Sequence, residues 1–230
     1  IYTLSLHDAL PIYELNKKLG GFQMNQNKTT VGTKPSGRDF INLGIFTVIF
    51  IVLFMACIMV MSMTIYTLPF GVALGSFISA SVYMLLRAKV PKTGAIILFG
   101  VLFGLVMFVM GSGWPILAAV IIGSIIAEFI ARSGHYRSYA REVIGYCILM
   151  LGTAVGSYIP FLVMKDYYLK VAEGNSINGK FMARLIEFIS GPYLAVALAT
   201  TVVTAILGTV LARSVLKKHL VKAGLLKEMK

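Results

Sequence analysis

Four long stretches of the sequence carry no Asp, Glu, Lys or Arg, and they limit the possible folds more than any other feature. They cover residues 40–86, 93–127, 143–164 and 188–212, with lengths of 47, 35, 22 and 25 residues. One membrane-spanning helix needs about 20 apolar residues, so each of the first two stretches must fold back once. The pattern predicts an all-α integral membrane protein built as a bundle of six transmembrane helices.

The composition supports this class of protein. Of the 230 residues, 58% are apolar, and the mean hydropathy is +0.85, whereas a soluble domain of this length needs more polar surface. The net charge of +12 is as large as that of a nucleic-acid binder. The basic residues lie in loops beside apolar spans, however, so membrane topology is their simpler explanation, and we expect no nucleic-acid partner.

The chain divides into a leader, two tails and a membrane domain. Residues 1–23 resemble read-through of sequencing-adapter DNA, so we expect a non-native leader and a native start at Met24. Residues 24–39 and 214–230 should be cytoplasmic tails, the second of them basic. The membrane domain at 40–213 contains the predicted spans, which are residues 40–61, 70–86, 93–110, 114–132, 143–163 and 192–211.

The distribution of basic residues predicts the orientation. Lys and Arg cluster in both tails and in the loops at 87–92 and 132–141, whereas the bases of the long connection at 165–190 are largely offset by acids. By the positive-inside rule, both termini lie in the cytoplasm. Apolar residues at helical spacing within the long connection predict a short amphipathic helix over residues 179–189, at the outer interface.

Small residues recur four places apart, which lets helices approach closely in lipid. The pattern fits either a tight monomeric bundle or faces that dock another membrane subunit. The pairs and triplets are Gly71/Gly75, Gly100/Gly104, Ala119/Gly123/Ala127, Gly152/Gly156, Ala195/Ala199 and Gly208/Ala212.

Glu128 is the only acid that the predicted spans place well inside the membrane, where an unpaired carboxylate would be costly. It could form an ion pair with Arg132, one helical turn later at the inner interface. Alternatively, it could face a partner subunit and couple its movement. We therefore name Glu128 and Arg132 as candidate partner-coupling residues.

Aromatic and polar residues of three outer connections should meet above one small bundle. They fit either an aromatic belt at the membrane surface or a pocket for a small molecule, because they offer ring faces, donors and acceptors around one mouth. The candidate substrate-binding residues are Tyr66, Ser112, Trp114, Tyr158, Asp166, Tyr167, Tyr168 and Asn175.

The sequence lacks the common catalytic motifs. The sequence contains no HExxH, no GxSxG and no Walker P-loop, which are the patterns of common hydrolases and ATPases. Cys57 and Cys147 lie in apolar runs and fit inert packing residues. We expect a protein that is not an enzyme and that needs no cofactor or metal.

Four segments together resemble a known family over about residues 38–225. The segments are GRDFINLGIFTVIF at 37–50, ARSGHYRSYAREVIGY at 131–146, MKDYY at 164–168 and LARSVLKKHLVKAGL at 211–225. They resemble the Trep_Strep (MptD-type) family of bacterial membrane proteins. The resemblance implies a six-helix, substrate-binding S component of an energy-coupling-factor (ECF) transporter in the bacterial plasma membrane.

The resemblance also implies partners. These are one coupling membrane subunit, a pair of ABC ATPases, and a vitamin-like or other trace nutrient captured from outside. In better-known S components a small-residue face on the first span meets the coupling subunit. Here Gly44 is followed four places on by Val48, so only Gly44 is carried over as a coupling residue. The alternative function is a small membrane scaffold or assembly protein without a transported ligand.

Overall fold

The computed structural model describes residues 36–136, 138–174, 179–189 and 192–215. Within these ranges the chain forms eight α-helices and no strand. They are α1 (Gly37–Met61), α2 (Gly71–Lys89), α3 (Ala95–Met107), α4 (Trp114–Ser133), α5 (Tyr139–Val163), α6 (Lys165–Gly174), α7 (Gly179–Ile189) and α8 (Tyr193–Val215). A short 3₁₀ turn at Leu68–Phe70 leads into α2, and a π-type turn at Phe108–Ser112 follows α3.

Six segments of the described chain are long and apolar enough to cross a membrane. They are Gly37–Met61, Leu68–Lys89, Ala95–Ser112, Trp114–Ser133, Tyr139–Val163 and Tyr193–Val215. The predicted all-α fold with six spans is therefore confirmed.

The six spans form a ring, and α2 and α5 also touch each other across it. The order around the ring is α1, α2, α8, α5, α4 and α3, with α3 returning to α1. Along the chain, α1 to α5 alternate in direction, because each connection between them is short. The connections therefore collect at two opposite ends of the bundle.

Small residues make the tightest contacts between these helices. A Cβ added to Gly152 on α5 would lie 2.9 Å from the carbonyl oxygen of Ala119 on α4. One added to Gly208 on α8 would lie 2.5 Å from the carbonyl oxygen of Phe77 on α2. These small-residue faces therefore serve packing within the bundle, which is the first of the two alternatives that the sequence left open.

The beginning of α1 shows why this helix starts before the uncharged stretch. Ser36 is the N-cap, and Asp39 at the third helical position accepts hydrogen bonds from the Ser36 amide and hydroxyl, both at 2.8 Å. This is the reciprocal pairing of a capping box, with aspartate as the acid. Asp39, which the sequence analysis placed just before the first span, is thus the third residue of α1.

Candidate functional site

The two ends of the bundle have different side chains. The end that holds Asp39, Arg87, Lys92, Glu128 and Glu142 is called the charged end. The opposite end, where α6 and α7 lie, is called the aromatic end and carries Tyr66, Trp114, Tyr158, Phe188 and Tyr193.

A buried ion pair at the charged end joins the end of α2 to the start of α5. The Arg87 guanidinium donates to both carboxylate oxygens of Glu142, over 2.9 Å from Nε and 3.0 Å from Nη2. Its Nη1 donates to the carbonyl oxygen of Val90 at 3.0 Å. Each charged side chain is only 1% exposed. Paired, charge-assisted hydrogen bonds of this geometry are the strong ones in proteins.

This pair corrects two expectations from the sequence. Arg87 is not a loop residue, and Glu128 is not the only acid buried inside a span, because α5 begins at Tyr139 and includes Glu142. The physical reason is mutual neutralisation: a paired carboxylate and guanidinium can both enter a low-dielectric interior. A search for uncharged stretches cannot distinguish such a pair from two charges in a loop.

Glu128 binds the start of another helix. Its Oε1 accepts hydrogen bonds from the Gly94 amide and the Tyr136 hydroxyl, both at 2.8 Å, and its Oε2 accepts one from the Ile96 amide at 3.1 Å. The first amides of a helix have no partner within the helix and carry partial positive charge. Glu128 therefore neutralises the N-terminus of α3.

The expected pair between Glu128 and Arg132 is absent. Among the described residues no ion pair links the two side chains, and Arg132 is exposed. The exposed fraction of Glu128 is 5%, so its carboxylate lies inside the fold. Backbone amides from a distant helix satisfy it, and a pattern of residue types cannot show such a partner.

Tyr136 holds an unusual backbone conformation beside this site. His135 and Tyr136 have φ values of 52° and 56°, which residues other than glycine seldom adopt. The Tyr136 amide donates to the Ala131 carbonyl at 3.1 Å and the His135 amide to the Arg132 carbonyl at 2.9 Å, so α4 ends in a Schellman motif. Burial raises the pKa of the Tyr136 phenol above its ordinary value of 10.0.

Two further contacts complete the charged end. The Tyr136 ring lies 5.5 Å from the Arg87 guanidinium, as measured to the ring centroid. The Lys92 ammonium lies 4.0 Å from the Asp39 carboxylate, with the two side chains 7% and 14% exposed. Together with the two buried carboxylates, these contacts connect all of the first five spans.

A polar stripe runs along the buried face of α2 from the charged end into the bundle. It consists of Ser76, Ser79, Tyr83 and Arg87, each no more than 1% exposed. The Ser76 carbonyl accepts from the Tyr146 hydroxyl at 2.7 Å, and the Ser76 hydroxyl lies 3.0 Å from that of Thr204. Within the described chain, the hydroxyls of Ser79 and Tyr83 have no hydrogen-bond partner although both are buried.

Hydroxyls without partners are uncommon in protein interiors, because an unsatisfied buried polar group costs free energy. The polar stripe was not predicted from the sequence. The spacing of residues 76, 79, 83 and 87 could have predicted it, because intervals of 3 or 4 residues put side chains on one helix face.

The predicted substrate-binding residues divide into buried and exposed groups. Tyr158 is 3% exposed, and its hydroxyl accepts from the Val72 amide at 3.4 Å. Trp114, Tyr66 and Tyr167 are 56%, 69% and 46% exposed. Asp166 is exposed and Ser112 half-buried. The Tyr168 side chain and Asn175 lie outside the described residues.

A stack of rings at the aromatic end includes two residues that the sequence analysis did not single out. Phe188 of α7 contacts Tyr66 edge to face, with 5.3 Å between ring centroids, and stacks on Tyr193 of α8 at 4.1 Å. Among the described residues, no ring contact joins Trp114 to this stack. Ring contacts among Tyr66, Phe188 and Tyr193 therefore order one side of the aromatic end.

The amphipathic helix α7 has the predicted bounds, but its apolar face packs against protein. Leu185, Ile186 and Ile189 are no more than 3% exposed, because they pack against the bundle where α5 and α8 meet α7. Arg184 and Glu187 on the opposite face are exposed. Instead of lying with its apolar face in lipid, α7 covers part of the aromatic end.

Comparisons with known proteins agree with the membrane fold. A model of the family described as "Hypothetical bacterial integral membrane protein (Trep_Strep)" matches residues 37–222. Searches of curated proteins and of solved structures returned no match. The matched range contains all six spans and both ends of the bundle. The chain therefore belongs to the Trep_Strep family of bacterial integral membrane proteins.

Proposed function

We propose that this chain is the substrate-binding membrane subunit, the S component, of an ECF-type ABC importer. It captures a vitamin-like or other trace nutrient from outside the cell. The sequence contains no Walker P-loop, so ATP hydrolysis is assigned to partner subunits, namely a pair of ABC ATPases that act through a coupling membrane subunit. Family membership and the six-span bundle support this proposal.

The proposal puts the charged end in the cytoplasm. Arg87 and Lys92 are paired with acids and no longer count as free loop charges. In the described chain, the exposed bases of the charged end have no exposed acid beside them, whereas those of α6 and α7 are accompanied by Asp166 and Glu187. The exposed bases of the charged end are Arg38, Lys89, Arg132 and Arg213.

The observation that carries the proposal is the position of α7 above a polar interior. Beneath α7, Tyr158 and Ser76 bring hydroxyl groups into an interior formed mainly by apolar side chains and the polar stripe. A small-molecule site needs such an arrangement of apolar walls with a few polar groups. We assign α7 as the lid, which moves outward to let substrate reach Tyr158 and the outer half of the polar stripe, with Trp114 at the rim.

The proposed contact with the coupling subunit lies near the charged end. Gly44 of α1 faces away from the bundle, since no atom lies within 4 Å of a Cβ added there. Arg132 is exposed at the end of α4. Glu128 would contribute by holding the start of α3 against the end of α4. It would not touch the partner, because its carboxylate is already bound inside the fold.

The first experiment identifies the ligand. Protein purified from cells grown in rich medium is denatured, and the released small molecules are analysed by mass spectrometry. We expect one compound at near-stoichiometric amount in wild type. Tyr158→Phe and Ser76→Ala should retain less of it, whereas Ile78→Ala, on the exposed side of α2, serves as the matched control.

Titration of the identified compound then tests the rim. Trp114 is the only tryptophan, so its emission reports one place. Stacking is worth roughly 0.5–1.5 kcal/mol beyond burial, and Trp114→Ala should weaken binding by well over tenfold, because the buried area is lost as well. If no compound is retained and uptake does not depend on the chain, a scaffold function replaces the proposal.

Orientation is tested by labelling in intact cells. In a background with Cys57 and Cys147 replaced by alanine, a membrane-impermeant thiol reagent should reach Asn175→Cys and miss Ser138→Cys. The reverse pattern would put the charged end outside and contradict the proposed direction of transport.

A further inference from the structure

A shallow groove on the lipid-facing side of the bundle is not used by the proposed function. It lies between α5 and α8, with a volume of 310 Å³. Its walls are five residues of α5 between Val143 and Leu151, together with Val202 and Ile206 of α8. Every side chain in the lining is apolar or is the thiol of Cys147. The groove is open to the surroundings, since Ile144 and Ile206 are 50% and 43% exposed.

At the charged end of the bundle, the groove is followed by the cationic side chain of Arg213. Tyr139 lies one helical turn before Val143, and Arg213 lies seven residues after Ile206, about 10 Å further along the helix. The Arg213 guanidinium is held over the Tyr139 ring at 4.4 Å from its centroid. In the described part of the chain no carboxylate pairs with Arg213, and its side chain is exposed.

We propose that this groove binds one anionic phospholipid, with an acyl chain along α5 and α8 and the phosphate on Arg213. An apolar crevice followed by a basic group at the level of the membrane surface matches the two parts of such a lipid.

The composition of the groove argues against a protein helix as its occupant. Helices that dock in membranes do so through small residues, which allow close approach of the backbones. The walls here are formed mainly by valine, isoleucine and leucine. A lipid chain can follow such an uneven surface, whereas a helix would touch only its ridges.

Native mass spectrometry of the full chain in detergent tests the proposal. The probes are phosphatidylglycerol and phosphatidylcholine with identical acyl chains, and soluble glycerol phosphate. We expect phosphatidylglycerol to bind about tenfold more tightly than phosphatidylcholine, because the choline cation of the latter offsets its phosphate charge and is repelled by Arg213, at a cost of about one charge-assisted contact. Glycerol phosphate, which has no acyl chain, should not bind measurably.

Paired variants separate the two halves of the site. Arg213→Gln should abolish the preference for phosphatidylglycerol, and Ile206→Trp, which fills the groove, should weaken both lipids. The matched controls are Arg132→Gln, an exposed base at the same end, and Ile122→Trp, an exposed position on α4. Each variant is first compared with wild type by thermal unfolding.

The outcomes decide the proposal. Equal affinity for both lipids, or a preference that survives Arg213→Gln, would overturn the headgroup assignment. An equal loss of lipid affinity in the Ile122→Trp control would overturn the groove assignment. A dimer of the wild type that disappears in Ile206→Trp would also overturn it, since a second copy of the chain would then occupy the groove. If Ile206→Trp fails to fold, the Arg213→Gln and Arg132→Gln comparison still decides whether the headgroup is bound there.

Discussion

The charged end and the aromatic end of the bundle are held together by different kinds of interaction. At the charged end, Arg87 and Glu142 are buried together and Glu128 binds the start of α3. At the aromatic end, Tyr66 and Phe188 meet through ring contacts and Tyr66 is mostly exposed. Breaking a buried charge pair costs several times more than losing an exposed ring contact. We therefore expect the charged end to be the fixed base of the bundle and the aromatic end to be the part that opens.

The largest effect is expected from breaking the buried pair. Glu142→Leu leaves the Arg87 guanidinium buried without its partner and should reduce the free energy of unfolding by about 3–5 kcal/mol. The measurement is the unfolding of the purified protein in detergent. The double variant Arg87→Met with Glu142→Leu should recover most of the loss, because no unpaired charge remains. If Glu142→Leu is as stable as the control variant Arg132→Met, the buried pair does not stabilise the charged end.

The next effect concerns the carboxylate at the start of α3. Glu128→Leu removes the acceptor of the Gly94 and Ile96 amides and should cost about 2–3 kcal/mol, since each buried donor left without a partner is destabilising. Glu128→Gln keeps one acceptor oxygen and should fall between wild type and Glu128→Leu. Hydrogen exchange of the first turn of α3 should rise in the same order. Unchanged exchange there would mean that other groups hold this end.

A smaller, pH-dependent effect is expected at Tyr136. Its hydroxyl donates to Glu128, so Tyr136→Phe should cost about 1.5 kcal/mol at neutral pH. Because burial raises the pKa of this phenol in the folded state, its contribution is fully present below the ordinary value of 10.0 and is lost as the pH rises through the raised pKa. The stability difference between wild type and Tyr136→Phe should therefore shrink as the pH rises above 10.0. A difference that stays constant from neutral to alkaline pH would exclude this assignment.

The smallest effect on stability is expected at the aromatic end. Phe188→Ala removes the ring contacts with Tyr66 and Tyr193 and should cost about 0.5–1.5 kcal/mol. Trypsin cleavage at Lys180 and Arg184 of α7 should nevertheless become faster, because a helix with fewer contacts leaves the bundle more often. Tyr167→Ala, also exposed at this end, is the matched control. Cleavage that is no faster than in this control would show that the ring stack does not hold α7.

The fold was more accessible to sequence analysis than the site. Uncharged stretches predicted six spans, and helical spacing predicted α7 at residues 179–189. These features depend on local periodicity and on the length that a membrane demands. The candidate site depends on residues far apart in the chain. Arg87 meets Glu142 across 55 positions, and no local pattern indicates that distance.

The sequence by itself therefore determined that this chain crosses a membrane six times as helices, because backbone groups in lipid must be satisfied within each segment. Only the tertiary structure decided how its polar groups are used. It paired Arg87 with Glu142, gave Glu128 the amides of α3 instead of Arg132, and turned the apolar face of α7 onto the bundle. The physical reason is that a charge or an apolar face is stabilised by the neighbour it meets in three dimensions, and the order of residues does not name that neighbour.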